Sequence, residues 1–228
     1  MNETKRDPGA LRIAFSDSPI TPTDVHPDCC KAVQDVAKLC ADLGHHVEEA
    51  KPQLDAPRFN EFFTSIWLGM VAWAIKDWAR RTGREPREEH FEPHTWKMYT
   101  LDQKRHPSDL LLAIQDMHYF AREVAPFFNT YDVWLTPTST EPPCPLGYFN
   151  SDPKYPGRAT ERMENVPRFT AVANVTGQPA ISLPLSWNER GLPIGVQLIG
   201  RFADEATLFR LSSQLEAAQS WHQRWPEM

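Results

Sequence analysis

Residues Asn174–Gly200 read NVTGQPAISLPLSWNERGLPIGVQLIG, and their reading decides the fold. Ala180–Leu185 is a short, largely apolar run, and Ile194–Ile199 alternates apolar with small or polar residues; both suit strands better than a helix. The connector Trp187–Pro193 holds turn chemistry: Gly191 takes positive φ without steric cost, and Pro193 sets φ at the entry to the second strand. A hairpin with a long loop follows. Behind it, Ala203–Ala218 carries Leu208, Leu211, Leu215 and Ala218 at helical spacing, with Asp204 and Glu205 in the first turn, so a helix should cover one hairpin face. On pattern alone such a unit reads as a well-packed hairpin without chemistry.

The chain begins with a second unit of the same class. Leu11–Phe15 is a strand candidate, Ser16–Pro27 is a Ser, Thr, Pro and Asp loop, and Asp28–Leu43 places Ala32, Val33, Val36, Leu39, Cys40 and Leu43 on one stripe that Gly44 ends. His45–Ala50 resumes as a strand, which makes a βαβ crossover with parallel strands. His26, His45 and His46 lack neighbouring ligands at a metal spacing and read as surface or capping residues.

The middle is helical. Arg58–Arg81 spreads Phe59, Phe62, Phe63, Ile66, Trp67, Met70, Val71, Ala74 and Trp78 over a wide apolar face before Gly83. That face reads as core, with Phe63 and Trp67 also open to a role as pocket walls. Pro93 spoils the His90/His94 spacing as a metal pair, and Thr95–Lys104 is a short helix. Ser108 is the expected N-cap of a helix reaching Asn129, with Leu111, Ile114, Phe120, Val124 and Phe127 or Phe128 inside. Tyr131–Thr138, YDVWLTPT, is a buried strand that stops at Pro137 for want of an amide donor. Thr138–Arg158 is a long Pro- and Gly-rich loop, open to a role as a lid or as a plain surface excursion, and Glu164–Val175 a helix.

Composition narrows the function classes. The 228 residues suffice for one sizeable domain, and a net charge of −6 argues against nucleic acid as a partner. MNETKRDPGALRIAFSD does not read as a secretory signal, and no run approaches the roughly 20 apolar residues of a spanning helix, so a soluble cytoplasmic protein away from the membrane is expected. Cys29, Cys30, Cys40 and Cys144 follow no paired spacing and read as reduced thiols; no metal or cofactor is expected.

Several blocks together resemble the amidase signature family: Asn174-Val-Thr-Gly-Gln-Pro-Ala-Ile-Ser, Gly191-Leu-Pro-Ile-Gly-Val-Gln, Tyr131-Asp-Val-Trp-Leu-Thr-Pro-Thr, Leu43-Gly-His-His-Val-Glu-Glu, and Trp221 before Arg224-Trp225-Pro226. Leu183–Trp187 and Gly200–Phe202 lean toward the 6-aminohexanoate cyclic dimer hydrolase-like subgroup. The resemblance implies an α/β fold: residues 1–228 as one partial domain, the C-terminal part of the amidase signature fold, a mixed β-sheet covered by α-helices. It also implies carboxamide hydrolysis by a serine whose proton passes through a second serine to a neutral lysine, with Gly-rich backbone amides at the oxyanion. An unassisted hydroxyl is a poor nucleophile, and each good oxyanion donor contributes about 3 to 4 kcal/mol.

Those groups belong to a Gly-Gly-Ser-Ser-Gly stretch and a lysine segment that this sequence does not contain. Ser212 and Ser213 are adjacent but lie mid-helix without glycines, and Ser182 lies in a strand rather than a strained Gly-x-Ser-x-Gly turn. No catalytic residue is therefore assigned. Ligands of α/β sheets gather beyond strand ends, which makes Thr136, Pro137 and Thr138, then Asn174 and Thr176, substrate-pocket candidates, although turn and capping duty suits them equally. The chain should supply scaffold and pocket wall for a small amide substrate and be inactive alone; alternatively it is a non-catalytic subunit or binding module. Half a sheet would expose apolar surface on the order of 1,000 Å². Self-association, or a partner chain supplying the catalytic half, is the consequence.

Overall fold

A computed structural model describes residues 2–151, 154–155 and 157–225. Asp152, Pro153 and Pro156 of the expected loop, and Pro226 of the terminal block, lie outside them. Five strands, Arg12–Phe15 (β1), His46–Glu49 (β2), Val133–Pro137 (β3), Ala180–Trp187 (β4) and Pro193–Gly200 (β5), form one sheet in the order β2-β1-β3-β5-β4. β1 runs parallel to β2 and β3, whereas β5 is antiparallel to β3 and β4, so the sheet is mixed. The helices are Pro27–Asp42 (α1), Ala56–Thr82 (α2), Pro93–Asp102 (α3), Pro107–Val124 (α4), Phe127–Thr130 (α5), Arg158–Asn165 (α6), Ala171–Thr176 (α7) and Glu205–Ala218 (α8).

The hairpin forms where its turn residues place it. Asn188 Oδ1 accepts from the amides of Arg190 (3.1 Å) and Leu192 (3.0 Å), and Gly191 sits at φ +73°. The β4–β5 register shifts between Leu183 and Ser186, where Pro184 cannot donate to the ladder.

Strand alternation sorts side chains into two cores. Ile13, Val133, Leu135, Val196 and Leu198 meet Val33, Val36 and Cys40 of α1 and Leu208, Leu211 and Leu215 of α8. On the other face, Ala14, Trp134 and Ile199 meet Phe59, Phe62, Phe120, Val124 and Phe128, with Ala171–Ala173 of α7. Central β3 is buried along its whole length, as a strand packed on both faces must be.

Where the structure departs from the sequence reading, the reason is usually proline or a neighbouring helix. α4 starts at Pro107, not behind a Ser108 cap: proline needs no amide donor at the first helical position, so His106 becomes the cap and Asp109 accepts its amide at 3.0 Å. Pro126 then divides the expected helix to Asn129 into α4 and α5. Likewise the helix expected over Glu164–Val175 is two, α6 and α7, with Pro167 between them.

α2 buries a different stripe from the one its large residues suggest. Phe59, Phe62, Ser65, Leu68, Ala72 and Ile75 are inside, while Trp67 (49%), Met70 (56%) and Trp78 (63%) are exposed. Small residues let α4 approach closely: a Cβ on Gly69 would lie 3.2 Å from Leu110. In α4, Leu111 is 69% exposed and Ala113 is buried in its place. His45 is also corrected, from surface to core. Its Nδ1 accepts the Leu11 amide at 3.1 Å and its Nε2 meets Gln214 Oε1 at 2.8 Å, tying β1 to α8. His26 does cap α1, accepting the Asp28 amide.

Candidate functional site

β3 ends among polar groups drawn from three strands. The Thr136 hydroxyl is fully buried, donates to Pro137 O at 2.9 Å and accepts from Gln197 Nε2 at 3.1 Å; Gln197 also lies 3.3 Å from Phe169 O. Thr136 thus holds the strand end together. One step on, Thr138 Oγ1 and Ser182 Oγ lie 2.6 Å apart, and the Thr138 amide donates to Gly195 O at 3.1 Å. Both hydroxyls lean over Gly195, where a Cβ would come within 2.9 Å of each. The result is a shallow hydroxyl notch at the sheet surface. It can bind and orient a polar group; one hydroxyl bonded to another has no base to take its proton.

The other sequence candidates are dispersed. Thr176 lines a separate cleft of about 570 Å³ with Arg122, Phe128, Gln178, Arg201 and Phe202. Its hydroxyl is 2.9 Å from Val172 O and 3.0 Å from Gln178 Oε1, and Gln178 Nε2 donates to Gly200 O at 2.8 Å. Asn174 is exposed on α7 and lines neither this cleft nor the notch. Phe63 stacks between Phe59 (5.4 Å) and Trp67 (6.0 Å) on α2, where it packs on the second core. Gln197 and Gly195 escaped the sequence reading as site residues; the small and polar positions alternating along β5 were the available signal.

Behind the second cleft, Asp132 joins three strands. It accepts from the Arg12 amide at 2.8 Å and from Arg201 Nη2 at 2.6 Å. Burial pushes its carboxyl up, but the Arg12 amide and the Arg12 and Arg201 charges outweigh that and hold it below the usual carboxylate value. Arg201 Nε is buried without a hydrogen-bond partner. A further cleft of about 520 Å³ lies between α2, α3 and α4, walled by Ser65, Trp73, Lys76, Arg105, His106 and Leu110. There Arg105 Nη2 donates to Ser65 Oγ at 2.6 Å, and Ser65 donates on to Glu61 O at 2.8 Å, so that serine is fully engaged.

Among the described residues no group of His, Cys, Asp and Glu could hold a metal ion, and no helix is long and apolar enough to cross a membrane. The four cysteines are free thiols. Burial pushes Cys29 and Cys40 up to about 12, so at pH 8 neither should carry thiolate. Thiol titration of the native protein should accordingly label Cys30 and Cys144 and reach the other two only after denaturation; fast native labelling of all four would contradict this packing.

A family model described as Amidase matches residues 1–209. The chain belongs to the amidase family. It is 32% identical over 222 residues to the putative amidase AmiC of Mycobacterium leprae (strain TN), covering 94% of this chain and 45% of that protein. It is 29% identical over 230 residues to the 6-aminohexanoate-cyclic-dimer hydrolase of Pseudomonas sp. (strain NK87), covering 97% and 47%. A solved 6-aminohexanoate cyclic dimer hydrolase complexed with substrate superposes with a TM-score of 0.87 at 27% identity, over 99% of this chain and 48% of that one. This amidase chain therefore spans about half the length of the relatives it matches. Its α/β sheet and covering helices are those of the family, as the sequence blocks implied.

Proposed function

We propose that this chain is the C-terminal part of an amidase that hydrolyses a linear or cyclic carboxamide, and that it supplies sheet, covering helices and part of the substrate wall. The nucleophilic serine, its lysine and the oxyanion amides come from residues this sequence lacks. One observation carries the reading: nearly the whole chain matches about half of a 6-aminohexanoate cyclic dimer hydrolase at high similarity, while no Gly-Gly-Ser-Ser-Gly stretch occurs in it. The Thr138–Ser182 notch beyond the end of β3 is the proposed wall, with Thr136 and Pro137 behind it; Thr176 lies in the separate cleft at the other end of β3. Free thiols throughout suit a cytoplasmic location.

An amide-release assay with 6-aminohexanoate cyclic dimer tests this. The isolated chain should run at the background rate. Turnover by the isolated chain that a serine-directed reagent abolishes would overturn the assignment.

A second reading, a non-catalytic subunit bound to a separate chain, draws support from the number of large apolar side chains left exposed on α2 and α4: Trp67, Met70, Trp73, Trp78, Leu111 and Leu112. Coding sequence upstream that carries the Ser-rich motif in frame would favour the first reading; a co-purifying protein that carries it would favour the second.

A further inference from the structure

The segment that carries Arg168 is bonded onto the end of β3. Gln197 Nε2 donates to Thr136 Oγ1 at 3.1 Å and lies 3.3 Å from Phe169 O, and the Thr140 amide donates to Val166 O at 3.1 Å. The Ser139 and Thr140 hydroxyls donate to Val166 O and Asn165 O, each at 3.2 Å. Thr138, at the notch, is therefore flanked on both sides by residues tied to residues 165–169. The two also share a face of the sheet. Thr138 continues the alternation of Trp134 and Thr136, and Gly195 that of Gln197 and Ile199, so the notch lies on the side covered by α2, α4 and α7. The Arg168 side chain runs to that same side, where it meets Asn60 of α2.

What holds Arg168 there is neutral. Its Nε and Nη2 donate to Asn165 Oδ1 at 3.3 and 3.0 Å, and its Nη1 to Asn60 Oδ1 at 3.4 Å. Thr21 Oγ1, in the loop that follows β1, donates to the same Asn60 oxygen at 3.0 Å. That loop is itself fastened to the end of β3, since the His26 amide donates to Thr140 O at 2.8 Å. Among the described residues no carboxylate pairs with Arg168. The guanidinium is thus fixed from α6 and from α2, keeps an N–H free on each Nη nitrogen, and has no anion to match its charge. Donors placed in advance in this way suit a planar carboxylate, which takes two parallel N–H bonds from an arginine.

Resting on the functional reading above, we propose that Arg168 binds a carboxylate carried by the substrate, so that the carboxamide this amidase takes is linear and ends in an acid group. The notch orients the amide-bearing part and the guanidinium holds the opposite end. Ligands of α/β sheets gather beyond the carboxyl ends of parallel strands, and Thr21, Thr138 and Arg168 converge beyond the ends of β1 and β3. A cyclic diamide has no free carboxylate to offer this residue. Within the linear and cyclic carboxamides, Arg168 therefore selects the linear class, and Asn60 and Asn165 act as positioning residues that aim it.

The test titrates the chain, followed by nuclear magnetic resonance, with adipamate, a linear amide acid, and with hexanamide, its uncharged counterpart of equal chain length; succinamate and suberamate vary the span. At least one amide acid should bind about tenfold more tightly than hexanamide and shift both the Arg168 Nε–H and the Thr138 amide signals. Arg168→Gln should remove that advantage, about tenfold, while hexanamide binding stays as it was. Arg168→Lys should restore only part of it, because an ammonium cannot keep both asparagines and the fork geometry at once. Equal binding of amide acids and hexanamide, no binding of any amide acid, shifts that spare Arg168 or Thr138, or an advantage that survives Arg168→Gln would each overturn the assignment. The signals of the parent chain decide the matter even where Arg168→Gln does not fold. Turnover by the isolated chain would sink the functional reading instead, and is scored by a separate assay.

Discussion

Trp134→Ala should destabilise the chain by about 3 to 5 kcal/mol, the range for removing a buried tryptophan from a core that cannot collapse around the gap. The indole is 2% exposed at the centre of β3, packs edge-on against Phe127 at 5.9 Å, and donates to Ser16 Oγ at 3.0 Å. Its removal empties the second core and leaves Ser16, itself buried, without that donor. With native stabilities of about 5 to 15 kcal/mol, this is a large share of the whole. Urea unfolding followed by circular dichroism measures it, and Trp134→Phe should recover more than half of the loss because most of the ring volume returns. A midpoint for Trp134→Ala within error of the parent would show that β3 is not the buried centre of the sheet.

Asp132→Ala should cost about 2 to 3 kcal/mol near neutral pH, because hydrogen bonds to a charged group are worth about 1.5 to 3 kcal/mol and several converge here. The carboxylate links the start of β1, the approach to β3 and the residue after β5 through Arg12 and Arg201. Removal strands two guanidiniums, one of which already has an unpartnered buried Nε. The pH dependence has a definite sign. The folded carboxyl lies below its ordinary value of 3.8, so its contribution is complete above that pH and fades as pH falls through the folded value. The gap in stability between parent and Asp132→Ala should therefore hold steady from pH 7 down to about pH 4 and narrow as pH falls below it, by urea midpoints taken from pH 3 to pH 7. A difference that stays constant with pH would mean the carboxylate makes no net contribution as an ion.

The legibility of the candidate site followed from distance along the chain. Thr136, Pro137 and Thr138 were found because a strand that ends in proline is a local event. Their partners were not. Ser182 and Gly195 stand 44 and 57 residues beyond Thr138, and only pairing of β3 with β5 and β5 with β4 draws the three together. Gln197, which braces Thr136, looks in the sequence like any polar residue of a half-buried strand. Phe63 and Trp67 illustrate the opposite case, large residues noticed for their size alone and carried to α2, away from the notch.

Local chemistry alone determined the strands, the hairpin, the caps at His26 and Gly83 and the family of the chain, because period-two alternation, turn glycines and contiguous motif blocks are properties of neighbouring residues. Tertiary structure decided which side of α2 faces inward, why His45 lies in the core, and that Thr138 and Ser182 share a hydrogen bond. The middle of α2, Phe62–Ile75, is apolar nearly all round, so its own pattern there has no preferred face. The small side chains Ser65, Gly69 and Ala72 settle the matter by letting α3 and α4 come close, and that contact exists only once the helices have packed.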